Sequence, residues 1–174
     1  MLPKLIITDI DGVWTDGGMF YDQEGNELKK FNTYDSAGVL WCKLNKIPVV
    51  VITGENTHIV KRRVKKLNIE YLFSGVSNKV KTLETLFEEL NVKWEEVAFI
   101  GDDINDFFAL QNAGYSACPS NAPDYIKSIV DEVLPCRGGD GVFRMFVENI
   151  LNREGVMKST LELYFKTSNN QFNQ

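Results

Sequence analysis

The chain has 174 residues, 44% of them apolar and 25% charged, with a net charge of −5. Such a length suits one α/β domain with a sizeable core, expected here over residues 1–154, and suggests no second one. The acidic balance argues against a nucleic-acid binder, and no apolar run approaches the roughly 20 residues that a membrane span requires.

Met1-Leu2-Pro3-Lys4 leads straight into a strand without a basic segment or a cleavage site, so no signal peptide is expected and the setting is cytoplasmic. Cys42, Cys118 and Cys136 are odd in number and lack C-x-x-C spacing, which favours reduced thiols over zinc or disulfides. His58 is the only histidine and falls at a helix start, where a surface or capping role is expected.

Leu5-Ile6-Ile7-Thr8 predicts a buried strand that ends in two carboxylates one residue apart, Asp9 and Asp11. In an α/β sheet that carboxyl end is where ligands bind. Residues 16–32 then give two short β-like runs around Gln23-Glu24-Gly25-Asn26, a hairpin. It either overhangs the carboxylates or simply extends the sheet. Asp35 to Leu44 predicts an amphipathic helix, and Pro48-Val49-Val50-Val51-Ile52 a strand covered on both faces, ending at Thr53-Gly54-Glu55.

A helix over 57–67 turns Val60, Val64 and Leu67 inward, and its basic residues 61–66 form a solvated face. After strand 71–73, Lys79 opens a helix reaching Leu90, although the macrodipole favours anions there. An anion shared with the strand-end carboxylates would remove that oddity. Val97 to Ile100 is a further buried strand, running into Gly101-Asp102-Asp103-Ile104-Asn105-Asp106. Helix 107–112, strand 115–118, helix 122–129 and a short segment at 132–134 continue the alternation. The pattern predicts a doubly wound, mostly parallel sheet with helices on both faces. The glycine-rich loop Arg137-Gly138-Gly139-Asp140-Gly141 enters a last helix, 142–151. The tail, 155–174, is polar and expected to be partly disordered, with Leu161, Leu163, Tyr164 and Phe165 available to dock, including on a neighbouring subunit.

Asp9, Thr53 and Asp102 fall at strand ends that share one edge of a parallel sheet, and Lys79 follows another strand by one loop. Carboxylates gathered so closely need a cation, and Mg2+, with its oxygen ligands, suits them. In order and position these motifs resemble those of the haloacid dehalogenase (HAD) phosphatases over residues 4–151. The resemblance implies that Asp9 is the nucleophile, Asp11 the general acid and base, and Thr53 and Lys79 the phosphoryl binders. It also implies magnesium held by Asp9, the Asp11 carbonyl and Asp102, with Asp103 and Asp106 orienting metal waters and Lys79.

After the first motif only the hairpin is inserted before the helix at Asp35, and only one helix and one strand separate Thr53 from Lys79, which leaves no cap domain. The chain therefore resembles the tetrameric sugar-acid phosphatases that act on 3-deoxy-D-manno-octulosonate (KDO) 8-phosphate or on nine-carbon 9-phosphates. In these a glycine-rich loop reaches a neighbour's site. That implies a homotetramer, a sugar acid phosphate as substrate, and Asp35, Gly54, Glu55, Arg63, Lys66, Arg137, Gly138 and Gly139 as candidate substrate contacts. KDO 8-phosphate phosphatases usually carry Thr-Gly-Arg where this chain has Thr53-Gly54-Glu55. Glu55, with Gly12 to Tyr21, tips the expectation to the nine-carbon branch, 2-keto-3-deoxynononate (KDN) or sialic acid 9-phosphate, with KDO 8-phosphate as the alternative. Glu55 also has a plain reading as an acid favoured at a helix N-terminus. Lys66 lies about three helical turns, roughly 16 Å, beyond Glu55, so the two meet only through a ligand or another chain.

Two rivals are a non-catalytic tetramerisation module, as found fused to sialic-acid cytidylyltransferases, and a response-regulator receiver. Retention of Asp9, Asp11, Thr53, Lys79 and Asp102 argues against the first. In receivers the phosphorylated Asp usually ends the third strand rather than the first.

Overall fold

The computed structural model describes residues 1–172. Strands β1 (Leu5–Thr8), β4 (Val49–Thr53), β5 (Tyr71–Ser74), β6 (Val97–Ile100), β7 (Tyr115–Pro119) and β8 (Glu132–Leu134) form one sheet in the order β5-β4-β1-β6-β7-β8. Each neighbouring pair is parallel. β2 (Phe20–Tyr21) and β3 (Glu27–Leu28) form a separate antiparallel hairpin.

Period-2 alternation divides the sheet between two apolar layers. Ile6, Val49, Val51, Ala98 and Ile100 face one layer, built with α1 (Asp35–Leu44), α2 (His58–Lys66) and α6 (Val142–Arg153). Leu5, Ile7, Val50, Ile52, Val97 and Phe99 face the other, with α3 (Lys79–Leu90), α4 (Phe107–Asn112) and α5 (Asp124–Lys127). Because both faces are covered, the central strands are unbroken apolar runs. β1 lies between β4 and β6, so the order reverses beside it, and the crevice at that switch point opens above Asp9.

Three expectations change. The hairpin strands are only two residues long, since Phe20, Tyr21 and Leu28 remain exposed and find no core to extend against. The tail, expected to be partly disordered, is helical as α7 (Met157–Phe172). It docks on its own α1: Tyr164 meets Trp41 edge-on at 5.7 Å, and the buried Thr160 hydroxyl accepts from Asn45 Nδ2 at 2.9 Å. Leu161 joins this contact, whereas Leu163 and Phe165 are exposed; residues 173 and 174 lie outside the described residues. Helix 122–129 shortens to 124–127, because Pro123 is extended and caps it.

Candidate active site

β1 delivers Asp9 while still engaged in the sheet, for the Asp9 N–H donates to Ile100 O at 3.1 Å. The chain then reverses in a turn where the N–H groups of Val13, Trp14 and Thr15 converge on Ile10 O. Trp14 Nε1 donates to Thr8 Oγ1 at 2.9 Å, tying that turn back to the strand. Gly12 is obligatory here: its φ is +90°, and a Cβ would lie 1.8 Å from Asp102 Oδ2. Asp102 therefore lies directly against the first loop. At the next strand the buried Thr53 accepts through Oγ1 from Glu55 N at 3.3 Å.

Lys79 is almost wholly buried, and its Nζ lies 3.0 Å from Asp9 Oδ1 and 2.6 Å from Asp106 Oδ1. Those partners account for a lysine at a helix entrance. Burial opposes its charge, but Asp9 and Asp106 prevail and raise its pKa. Asp106 Oδ2 also accepts from the N–H groups of Asp102 and Asp103 at 3.1 and 3.4 Å, so one carboxylate sets both the lysine and the loop. The Asp103 carboxylate is exposed and turns to Ile104 N and Tyr125 OH, each at 2.7 Å.

Oxygens of Asp9, Asp102 and Asp106 lie within 4.8 Å of one another. Burial, with Asp106 beside it, pushes Asp9 up to about 7 against the pull of Lys79. Burial, then Asp9, Asp106 and Asp103, push Asp102 up to about 8. Asp102 Oδ1 is buried without a hydrogen-bond partner. Acids held so high and an orphaned oxygen mark a cluster short of positive charge. An all-oxygen set of this kind fits a hard divalent cation.

The cluster floors an open cavity of about 290 Å³ walled by Asp11, Thr53, Gly54 and Glu55, together with Asp16, Met19, Asn105 and Asn121. The hairpin side of the turn thus contributes directly to the cavity. Asp16, Met19, Asn105 and Asn121 carry no role in the sequence-based assignment, although Asp16, Met19 and Asn105 lie in stretches it marks; only Asn121 falls outside them. Lys29 carries no role there either, yet its Nζ lies 2.7 Å from Asp11 Oδ2.

Six other candidates are not brought to the cavity walls. Arg63 is directed beneath the hairpin, where Nη2 donates to Asn32 O at 2.9 Å and Ser36 Oγ at 3.1 Å and the guanidinium covers the Trp14 and Phe31 rings. Lys66 is exposed at the end of α2. Asp35 is fully buried and accepts from Arg144 N at 3.2 Å. Burial pushes its carboxyl up to about 6, against Arg144 N–H and the Arg63 charge. Arg137 is exposed. Gly138 and Gly139 brace the chain's own first loop: Gly139 N donates to Val13 O at 2.9 Å, and a Cβ on Gly138 would lie 1.8 Å from Gly12 O.

The family model described as haloacid dehalogenase-like hydrolase matches residues 52–146. The 3-deoxy-D-manno-octulosonate 8-phosphate phosphatase of Haemophilus influenzae is 38% identical over 152 residues, covering 87% of this chain and 84% of the relative. A crystal structure of the Moraxella catarrhalis enzyme of that name, in complex with magnesium ion, phosphate ion and KDO, superposes with a TM-score of 0.89. It is 30% identical and covers 93% of each chain. The cobalt-bound Haemophilus influenzae phosphatase gives a TM-score of 0.83 at 37% identity, over 88% of this chain and 90% of that one. With four motifs in order around one cavity and no cap, this chain belongs to the haloacid dehalogenase-like hydrolases, in the capless sugar-acid phosphatase family, and is a phosphomonoester hydrolase.

Proposed function

We propose that the chain hydrolyses the phosphate ester of a 2-keto-3-deoxy sugar acid, with KDO 8-phosphate as its substrate. The observation that carries this is the Asp9–Lys79–Asp102 cluster at the switch point, in a chain whose named relatives are KDO 8-phosphate phosphatases. The Asp9 carboxylate attacks phosphorus as the ester P–O bond breaks, and Asp11 donates its proton to the leaving alkoxide. Asp11 then takes a proton from water, whose oxygen attacks phosphorus, breaks the Asp9–phosphate bond and releases phosphate. Thr53 and Lys79 hold phosphoryl oxygens.

Asp9, Asp102 and the Asp11 carbonyl are the set that would hold Mg2+, which when bound supplies positive charge beside the transferring phosphoryl group. Asp106 keeps Lys79 and the Asp102 loop in register. Exposed Phe20, Tyr21 and Leu28 support a homotetramer joined through its hairpins. Three unpaired cysteines fit a cytoplasmic enzyme, and no helix among the described residues is long and apolar enough to cross a membrane.

A second reading, a nine-carbon KDN or sialic acid 9-phosphate, is favoured by Glu55. That carboxylate stands in the cavity wall, where it would repel a substrate carboxylate and accept from hydroxyls. Phosphate release from KDO 8-phosphate, KDN 9-phosphate and N-acetylneuraminate 9-phosphate with Mg2+ decides between them. The highest kcat/KM is expected for KDO 8-phosphate; a tenfold preference for a nine-carbon ester transfers the assignment, and no release from any ester overturns the proposal. Sedimentation of the active preparation tests the assembly, and a fully active monomer would end that part.

A further inference from the structure

The Asp11 carboxylate is held from two sides by elements that the motif pattern does not include. Thr15 Oγ1 donates to Oδ1 at 3.3 Å, while the hydroxyl oxygen itself faces the N–H groups of Gly12 and Gly17 at 3.4 and 3.2 Å. On the other side Lys29 Nζ lies 2.7 Å from Oδ2. Lys29 stands directly after β3, 18 residues from Asp11, and its side chain has no exposure, whereas Asp11 keeps 18%. Its neighbour Lys30 is exposed.

A buried ammonium is costly unless a carboxylate faces it closely. Glu27 is the other acid at hand, yet it stands 3.8 Å away against 2.7 Å for Asp11. The lysine is therefore committed to Asp11. A carboxylate on an otherwise free side chain samples several rotamers, and a proton donor works only when held toward the leaving oxygen. Fixing both oxygens from separate elements removes that freedom.

We propose that Lys29 is a positioning residue: from the hairpin it holds Asp11, together with Thr15, in the orientation that serves the leaving group. The inference rests on the reading of Asp11 as the general acid and base. It also gives the hairpin a part in the reaction besides walling the cavity.

A lysine that only pins the hairpin and one that orients an acid differ in how their loss depends on the leaving group. An alkoxide needs a proton as it departs, whereas p-nitrophenolate does not. The test compares kcat/KM, which reports steps through leaving-group departure, for p-nitrophenyl phosphate and for whichever of the three sugar acid esters is turned over fastest. Lys29→Met should lower kcat/KM about 100-fold on the sugar ester and less than about fivefold on the aryl ester. Asp11→Asn should show the same split, and Lys29→Met added to Asp11→Asn should cost less than about threefold more, because the two act as one unit. Equal losses of Lys29→Met on both esters, or its full cost in the Asp11→Asn background, would overturn the inference. If Asp11→Asn itself shows no split, the acid role fails first, a result distinct from failure of Lys29 alone. Should Lys29→Met not fold, Lys29→Gln carries the same comparison with the same expected split.

Discussion

Two regions among the described residues bury an acid near a cation, and only one opens on the candidate-site cavity. Around Asp9 and Asp102 the acids share Lys79 and face an open cavity. Around Asp35 the neighbouring cation is Arg63, whose guanidinium covers the Trp14 and Phe31 rings beneath the hairpin. Both regions contain a buried carboxylate oxygen without a partner, Asp102 Oδ1 and Asp35 Oδ2, and both hold raised carboxyl groups. Burial of charge is thus shared; access for a ligand is not. A perturbed acid marks chemistry only where the chain also leaves room beside it.

The contrast breaks first at Asp9. Asp9→Asn should lower turnover by at least about 10⁴-fold while the chain still folds, and steady-state phosphate release checks it. Gly138 comes next, because its loop touches both regions: it presses on Gly12 O and leads into α6, whose Arg144 N–H holds Asp35. Gly138→Ala drives a Cβ into that backbone, so a loss of about 1–3 kcal/mol in stability and roughly tenfold in kcat are expected together, read by denaturant titration and by assay.

Asp35 sharpens the contrast with the smallest effect on catalysis. Its folded-state pKa of about 6 exceeds the ordinary 3.8, so the folded chain binds the proton more tightly. The stability this gives is fully present below about pH 4 and is lost as pH rises through about 6. Asp35→Asn should remove that slope. The variant should gain on wild type by about 1–3 kcal/mol between pH 4 and pH 7, with kcat within about twofold, as unfolding curves at the two pH values will report.

The central strands were legible because burial on both faces leaves an uninterrupted apolar run, and each such run ends at a polar motif residue. Asp9, Thr53 and Asp102 follow directly from that rule, and Lys79 from its unfavourable place at a helix start. Lys29 was not legible: which of Lys29 and Lys30 turns inward depends on hairpin register, and a two-residue strand carries too little alternation to fix it. Arg63 and Asp35, expected as substrate contacts, lie beneath the hairpin and off the cavity wall, a placement the sequence does not reveal because motif order says nothing about which side of the hairpin a side chain enters. The α7 helix was hidden by its polar composition, although Thr160, Leu161 and Tyr164 recur at helical spacing and meet α1.

The central position of β1 has a further consequence for exchange with solvent. Its backbone pairs with β4 on one side and β6 on the other, and its side chains are buried on both faces. No local opening releases such a strand, so its amides should exchange with deuterium only through global unfolding. Asp9, the proposed nucleophile at its end, is then protected by the whole fold, while the hairpin that carries Lys29, paired over two positions and exposed at its tip, should exchange at once. Protection factors along residues 5–30 would fall steeply from the strand to the hairpin.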